Sequence, residues 1–551
     1  MEGGKNLKKM LTIVRCMGTL RHQPDEFWLT NVIWERSTEA NRRREKNLPG
    51  RHAGIMFNEG GESQYFAVPA GKMTTAHLER IVESLRGSQV RVFILCVAGK
   101  KTIFPSRVWE PFWEGFDPNQ GMDQPFMAGT NDPWFYRLAA NLLALVSKGI
   151  DPVAHTLACA RRAGMEAWVS IRMNDGHARG LPNHPLNSRF YSEHPQYLTT
   201  GNTLGPAWDY AQRPVQDHFM ALIQEILERY DIDGLELDWL RSPNHFRDGE
   251  FARGRALLSG WVGEVREAVR AAAQKGRRLI VLCTRVPARP DVARGIGLDA
   301  VNWARRGLID RLVVGPYKGT TDFDVPVEKW NRLLAGTGVP VTVSLEHVVS
   351  FYPGAPNCWG ERWCMTGEQL RGAAAGALHR GSDGIYLFNQ MERPFAQPEL
   401  FRELGGLRTL RHKDRDHLQT WVNPEIPGKP LRHALPRIVP SGGAASFRLY
   451  TGPRPSRGAV VTLFVTLSGF DSAELERLRA TVNSEPAVAQ AAGPSPILPG
   501  DVRMPFLVAP NSLSEGYARI WITNGRSSPL KITGVELAMR FRKNPDLLKR
   551  T

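Results

Sequence analysis

No stretch of this chain approaches the roughly 20 consecutive apolar residues that span a bilayer, so no transmembrane helix is expected. Cysteine is scarce. Six in 551 residues do not make a disulfide framework, and no Cys-x-x-Cys pair or His/Cys zinc spacing occurs, so no structural zinc is expected; nor is a cofactor, since the carboxylate pair described below suffices. Cys96 and Cys283 lie in apolar runs and read as buried free thiols, while Cys358 and Cys364 bracket a loop and could close one small disulfide. No GxGxxG loop is present; Gly60-Gly61 is the nearest approach, which speaks against a dinucleotide fold. No long basic block occurs either. The 71 Lys and Arg against 55 Asp and Glu leave a net charge of +16, but the cations are scattered. The charge reads as a solvated basic surface, with an acidic glycan substrate as the most interesting alternative, and a continuous basic groove for nucleic acid is not expected. Near the start, Lys5, Lys8 and Lys9 precede a short apolar run that Arg15 interrupts, so no clear signal peptide is read. A soluble protein, cytoplasmic rather than secreted, is the expectation.

What is present is a rhythm. Eight short apolar runs fall at Gly54–Phe57, Val90–Val97, Glu166–Arg172, Gly234–Trp239, Leu279–Arg285, Leu312–Tyr317, Val341–Glu346 and Gly384–Asn389. Amphipathic stretches separate them, among them Trp134–Ala163, Val215–Tyr230, Phe251–Gln274 and Gly367–His379. This alternation predicts an α/β fold, a (β/α)8 barrel over residues 51–415, with a doubly wound sheet as the competitor. Residues 1–50 read as a flexible extension and 416–443 as a Pro- and Gly-bearing linker. Short β-like runs at Ser446–Tyr450, Ala459–Leu467, Ala518–Thr523 and Leu530–Arg540 predict an all-β sandwich over 444–551.

The segment Asp233-Gly234-Leu235-Glu236-Leu237-Asp238-Trp239-Leu240-Arg241 carries the chemistry. Alternation puts Gly234, Glu236 and Asp238 on one face of the fourth strand. Thr342, Ser344 and Glu346 share a face of the seventh. Two carboxylates, Asp238 and Glu346, would then meet at the barrel mouth, the arrangement glycoside cleavage needs, with Glu236 as the deeper neighbour. A salt-bridged structural acid pair is the competing reading. Arg172, Asn174, Arg241 and Arg285 cluster near the same strand ends and would tune the acids or clamp an anionic group. Trp208, Trp239, Tyr317, Trp359 and Trp363 fall on expected mouth loops, where aromatic faces stack on sugar rings. His177, His245, His347 and Asn389 are placed nearby. The long connection from Asn174 to Pro214 would sit over the mouth.

The Asp233–Arg241 segment resembles the fourth-strand motif of the family-10-like glycoside hydrolases, within the TIM-barrel glycosidase superfamily. Gly149-Ile150-Asp151-Pro152, Ala163-Gly164-Met165-Glu166 and Ser170-Ile171-Arg172-Met173-Asn174-Asp175 resemble that group around its third strand, and Asp383–Asn389 its eighth. The resemblance covers residues 52–400 and implies a barrel acting on carbohydrate, without naming the sugar. The large retaining clan of barrel glycosidases ends its fourth strand with Asn-Glu, where this chain has Leu237-Asp238. That departure leaves Asp238 open to either role, acid or nucleophile. A carboxylate gap of about 5 Å would mean retention and about 6.5–9.5 Å inversion. The expected function is a glycoside hydrolase of an oligo- or polysaccharide. A catalytically silent carbohydrate-binding barrel is the alternative.

Overall fold

The computed structural model describes residues 54–541 except 182, 200–204, 318–319, 353–363, 422–432, 457, 470–475 and 497. The expected N-terminal extension, Trp359, Trp363 and the Cys358–Cys364 pairing lie outside the described residues. Eight parallel strands close into a barrel in sequence order: β1 (Ile55–Glu59), β2 (Val90–Ala98), β3 (Glu166–Arg172), β4 (Gly234–Asp238), β5 (Val281–Pro287), β6 (Arg311–Gly315), β7 (Val341–Leu345) and β8 (Ile385–Leu387). All eight expected strands are present. The doubly wound alternative is excluded, because β8 pairs with β1 and leaves no sheet edge.

Strand alternation sorts the side chains into two layers. Outward residues such as Leu235, Leu237 and Trp239 join the core under the helices. Inward residues Met56, Val92, Ile94, Trp168, Cys283, Val313, Tyr386 and Phe388 form a separate cluster inside the barrel. Gly234 has a specific reason to be glycine: a Cβ there would stand 2.4 Å from the Trp168 ring. The indole takes the floor of the barrel, and Glu236 and Asp238 stack above it toward the C-terminal end.

One expected helix is two. Trp134–Ala163 divides into Pro133–Val146 and Pro152–Arg162. Gly149 turns the chain at φ +74°, and Asp151 restarts the helix by accepting from the amides of Val153 and Ala154 ahead of Pro152. No helix among the described residues is long and apolar enough to cross a membrane.

The C-terminal region is antiparallel and all-β, ten strands in sequence from β9 (Arg415–Leu418) to β18 (Leu530–Phe541). β14 (Glu485–Ala489) pairs with β13 (Leu478–Val482) in one layer and with β16 (Val502–Val508) in the other, linking the two faces of the sandwich. The segment read as a linker supplies strand residues of its own: β9 and β10 (Arg437–Val439) both pair with β18. Close contact fastens this region to the barrel. A Cβ on Gly372 would fall 1.9 Å from the Asp416 carbonyl oxygen, and Arg380 reaches Glu328, Asp324 and Tyr517.

Candidate functional site

The inward face of β4 places Glu236 and Asp238 one above the other, both buried. Nη1 of Arg285, at the same level on β5, donates to both carboxylate oxygens of Asp238 at 3.0 Å. The Leu240 amide donates to Oδ1 at 2.9 Å. Below, Glu236 Oε1 accepts from Ser170 Oγ and Tyr386 Oη, each at 2.8 Å. Burial, then the charge of Asp238, pushes the Glu236 carboxyl up to about 7. Glu236 is thus a floor residue held by barrel hydroxyls.

Glu346 follows β7. Its Oε1 accepts from the His347 amide at 2.9 Å and lies 2.8 Å from His347 Nδ1, and its Oε2 accepts from Asn389 Nδ2 at 3.2 Å. Burial alone would raise this carboxyl, but the His347 contacts and the Arg241 charge outweigh it and hold it below the usual range. Asn389 reaches it from a left-handed backbone, φ +57°, a conformation asparagine tolerates. Arg241 and Arg285 each lie within electrostatic reach of both Asp238 and Glu346. The two acids therefore share one mouth.

A second carboxylate–imidazole pair stands at the end of β3. Asp175 Oδ1 lies 2.6 Å from His177 Nδ1 and accepts the His177 amide at 2.8 Å. Burial opposes its ionisation, but His177, Arg172 and Arg241 hold Asp175 well below the carboxylate range. Nearby Lys100, after β2, donates to the His177 carbonyl and to Asn187 Oδ1 and lies over the Tyr191 ring. Burial pushes its amine down to about 8.

Several expected contacts prove to be scaffold. Arg172 donates to Glu62 at 3.1 Å, to Asp175 at 2.9 Å and to the Gly60 carbonyl at 3.0 Å, so it ties the ends of β1 and β3 together. Asn174 bonds the Trp208 amide and the carbonyls of Trp208 and Asn244, which pins the long connection after β3. Trp208 and Trp239 are corrections: neither is on the rim. Trp208 is buried against Phe190, Tyr191 and Phe219. Trp239 is buried against Tyr210, Trp261 and Trp303, on the opposite face of β4 from Asp238. His245 is likewise core; its ring bonds the Trp239 carbonyl, and burial pushes it down to about 3. Tyr317 is partly exposed within electrostatic reach of Arg179. Among the described residues, Phe388 after β8 is buried beside the mouth's cations, its ring centroid 3.9 Å from the Arg285 guanidinium carbon and 5.1 Å from that of Arg241.

The sequence reading passed over Asp175, Lys100, Glu62 and Phe388. Asp175 and Phe388 sit inside the quoted motifs, directly beside Asn174 and Asn389, and strand-end position was the available signal. The Gly60-Gly61 turn has a packing purpose: at φ +81°, a Cβ on Gly61 would fall 2.0 Å from the Cys96 carbonyl oxygen. Among the described residues, Glu79, His155 and Cys159 bring ligand atoms within 4.8 Å of one another, a spacing that could hold a metal. They lie on outer helices, and Arg162 Nη2 already donates to the Cys159 sulfur at 3.0 Å.

No family model matches the chain, and no curated protein matches it. Solved structures similar to it include a cycloisomaltooligosaccharide glucanotransferase from Paenibacillus sp. (9% identity, TM-score 0.32, 89% of this chain against 58% of that one). A noncanonic maltogenic α-amylase from Thermotoga neapolitana gives 11% identity and TM-score 0.36, over 88% of this chain and 99% of that one. An α-galactosidase from Geobacillus stearothermophilus gives 13% and 0.34, over 88% and 56%. The chain thus spans little more than half the length of the first and third.

Proposed function

We propose that this protein is a glycoside hydrolase that cleaves the glycosidic bonds of an oligo- or polysaccharide, with Asp238 and Glu346 as its catalytic carboxylates. The observation that carries this reading is the convergence of both acids, from β4 and β7, on the same two guanidinium groups, Arg241 and Arg285. The motif likeness of Asp233–Arg241 to the family-10-like glycoside hydrolases points the same way.

The two acids are unequal, and the difference supports different roles for them. The side-chain donor to Asp238 is a permanently charged guanidinium, so Asp238 works as an anion, the nucleophile or the base that activates water. Glu346 is the proton donor: its carboxyl, held below the usual range by His347 and Arg241, gives a proton only from its protonated form, which acid pH favours. That proton goes to the leaving glycosidic oxygen. The two carboxylates need no metal for this chemistry.

A catalytically silent sugar-binding barrel is the second reading, favoured by the occupation of both Asp238 oxygens by Arg285. Reducing-sugar release from a panel of neutral and acidic polysaccharides separates the two. Release supports the hydrolase; binding without release moves the silent barrel ahead.

A further inference from the structure

The cationic side chains at the mouth include, among the described residues, Lys100, Arg172, Arg241 and Arg285. Three are committed. Arg172 is held by Glu62 and Asp175, Arg285 by Asp238, and Lys100 by a carbonyl and an amide oxygen. Arg241 differs. Among the described residues no carboxylate lies within 4.0 Å of it, and its buried Nε, like that of Arg285, has no hydrogen-bond acceptor. Its guanidinium stands beside the Phe388 ring, within electrostatic reach of Asp175, Asp238 and Glu346 and next to the like charge of Arg172. It is therefore central to the mouth rather than peripheral.

A buried guanidinium Nε–H without an acceptor is costly, and the rest of the Arg241 fork, partly exposed, stands open to a ligand. The planar fork matches the oxygens of a carboxylate or sulfate better than any single hydroxyl. That fork is a place for the charged substituent of a sugar ring. We infer that the substrate is an anionic glycan, bearing a carboxylate or a sulfate on a sugar held in the mouth, and that Arg241 is the residue that selects it. The placement of that sugar rests on the hydrolase reading above; selectivity in binding can be read without turnover. The scattered positive charge of the chain, +16, suits a polyanion at longer range.

The test is calorimetric binding of polygalacturonate, a sulfated galactan and a neutral galactan to wild type, Arg241→Met and Arg241→Lys. Wild type is expected to bind one of the two anionic polymers at least about tenfold more tightly than the neutral one, the fold-change of one charged hydrogen bond. Which polymer it prefers tells carboxylate from sulfate. Arg241→Met should bring the three within about threefold of one another, and Arg241→Lys should keep part of the preference. Arg241→Gln replaces the Met variant should that one not fold. Equal binding of all three by wild type overturns the inference, and so does a preference that survives in Arg241→Met, which would assign it to the basic surface. A preference for the anionic polymer without hydrolysis supports the inference while the hydrolase reading fails. Hydrolysis of neutral galactan by a protein with no anionic preference does the reverse.

Discussion

Nη1 of Arg285 stands 3.0 Å from each carboxylate oxygen of Asp238, and both residues are buried at the same level of adjacent strands. Removing the cation leaves a buried carboxylate without its charge partner. Arg285→Met should cost about 3–5 kcal/mol in urea unfolding and abolish turnover. A cost below about 1 kcal/mol would mean that water already satisfies Asp238.

Glu346, as the proton donor, carries the alkaline side of the pH profile. Its carboxyl is held below the ordinary 4.5. A depressed carboxylate contributes stability that is present above the unfolded value and lost as pH falls through the folded one. This contribution therefore fades only below about pH 4.5. His347→Ala removes the imidazole donor. The alkaline limb of kcat/KM should then move upward by on the order of one pH unit. An unmoved limb would sever His347 from the mechanism.

Glu236 has the opposite sign. Its folded carboxyl titrates at about 7, so between pH 4.5 and 7 the unfolded chain has lost a proton that the folded one keeps. Wild-type stability then falls across that window, and Glu236→Gln, neutral throughout, escapes this share of the fall. The gain of Glu236→Gln over wild type should grow between pH 5 and 8, to about 3 kcal/mol at most. A pH-independent difference would show that Glu236 is ionised in the fold.

The barrel floor is tested at Gly234. Gly234→Ala drives a methyl into the Trp168 ring and should destabilise by about 1–3 kcal/mol. Trp168→Leu in the same chain should make the alanine cheaper than the two single costs summed. Plain additivity would show that the indole moves aside freely.

Much of the barrel was legible because its signal is local. Period-2 alternation in Leu235, Leu237 and Trp239 against Glu236 and Asp238 sorts the two layers, and the same rule applied strictly places Trp239 under the helices rather than on the rim. Trp208 was less legible, since its burial depends on Phe190 and Phe219, partners from other segments. Asn174 lies at a site-like strand end, yet its bonds go to loop backbone that no spacing rule reveals. In the sandwich, β13, β14 and β16 went unread because Pro, Ala and Glu dilute their alternation, and pairing across the sheet holds them extended.

The central claim is that Asp238 and Glu346 break the glycosidic bond together. The most direct measurement is the rate of reducing-sugar release from the best polysaccharide by wild type, Asp238→Asn and Glu346→Gln, with folding checked for each. Both variants are expected to lose at least ~10²-fold. Release that continues near the wild-type rate in either variant would contradict the pairing and place the chemistry on other residues of the mouth.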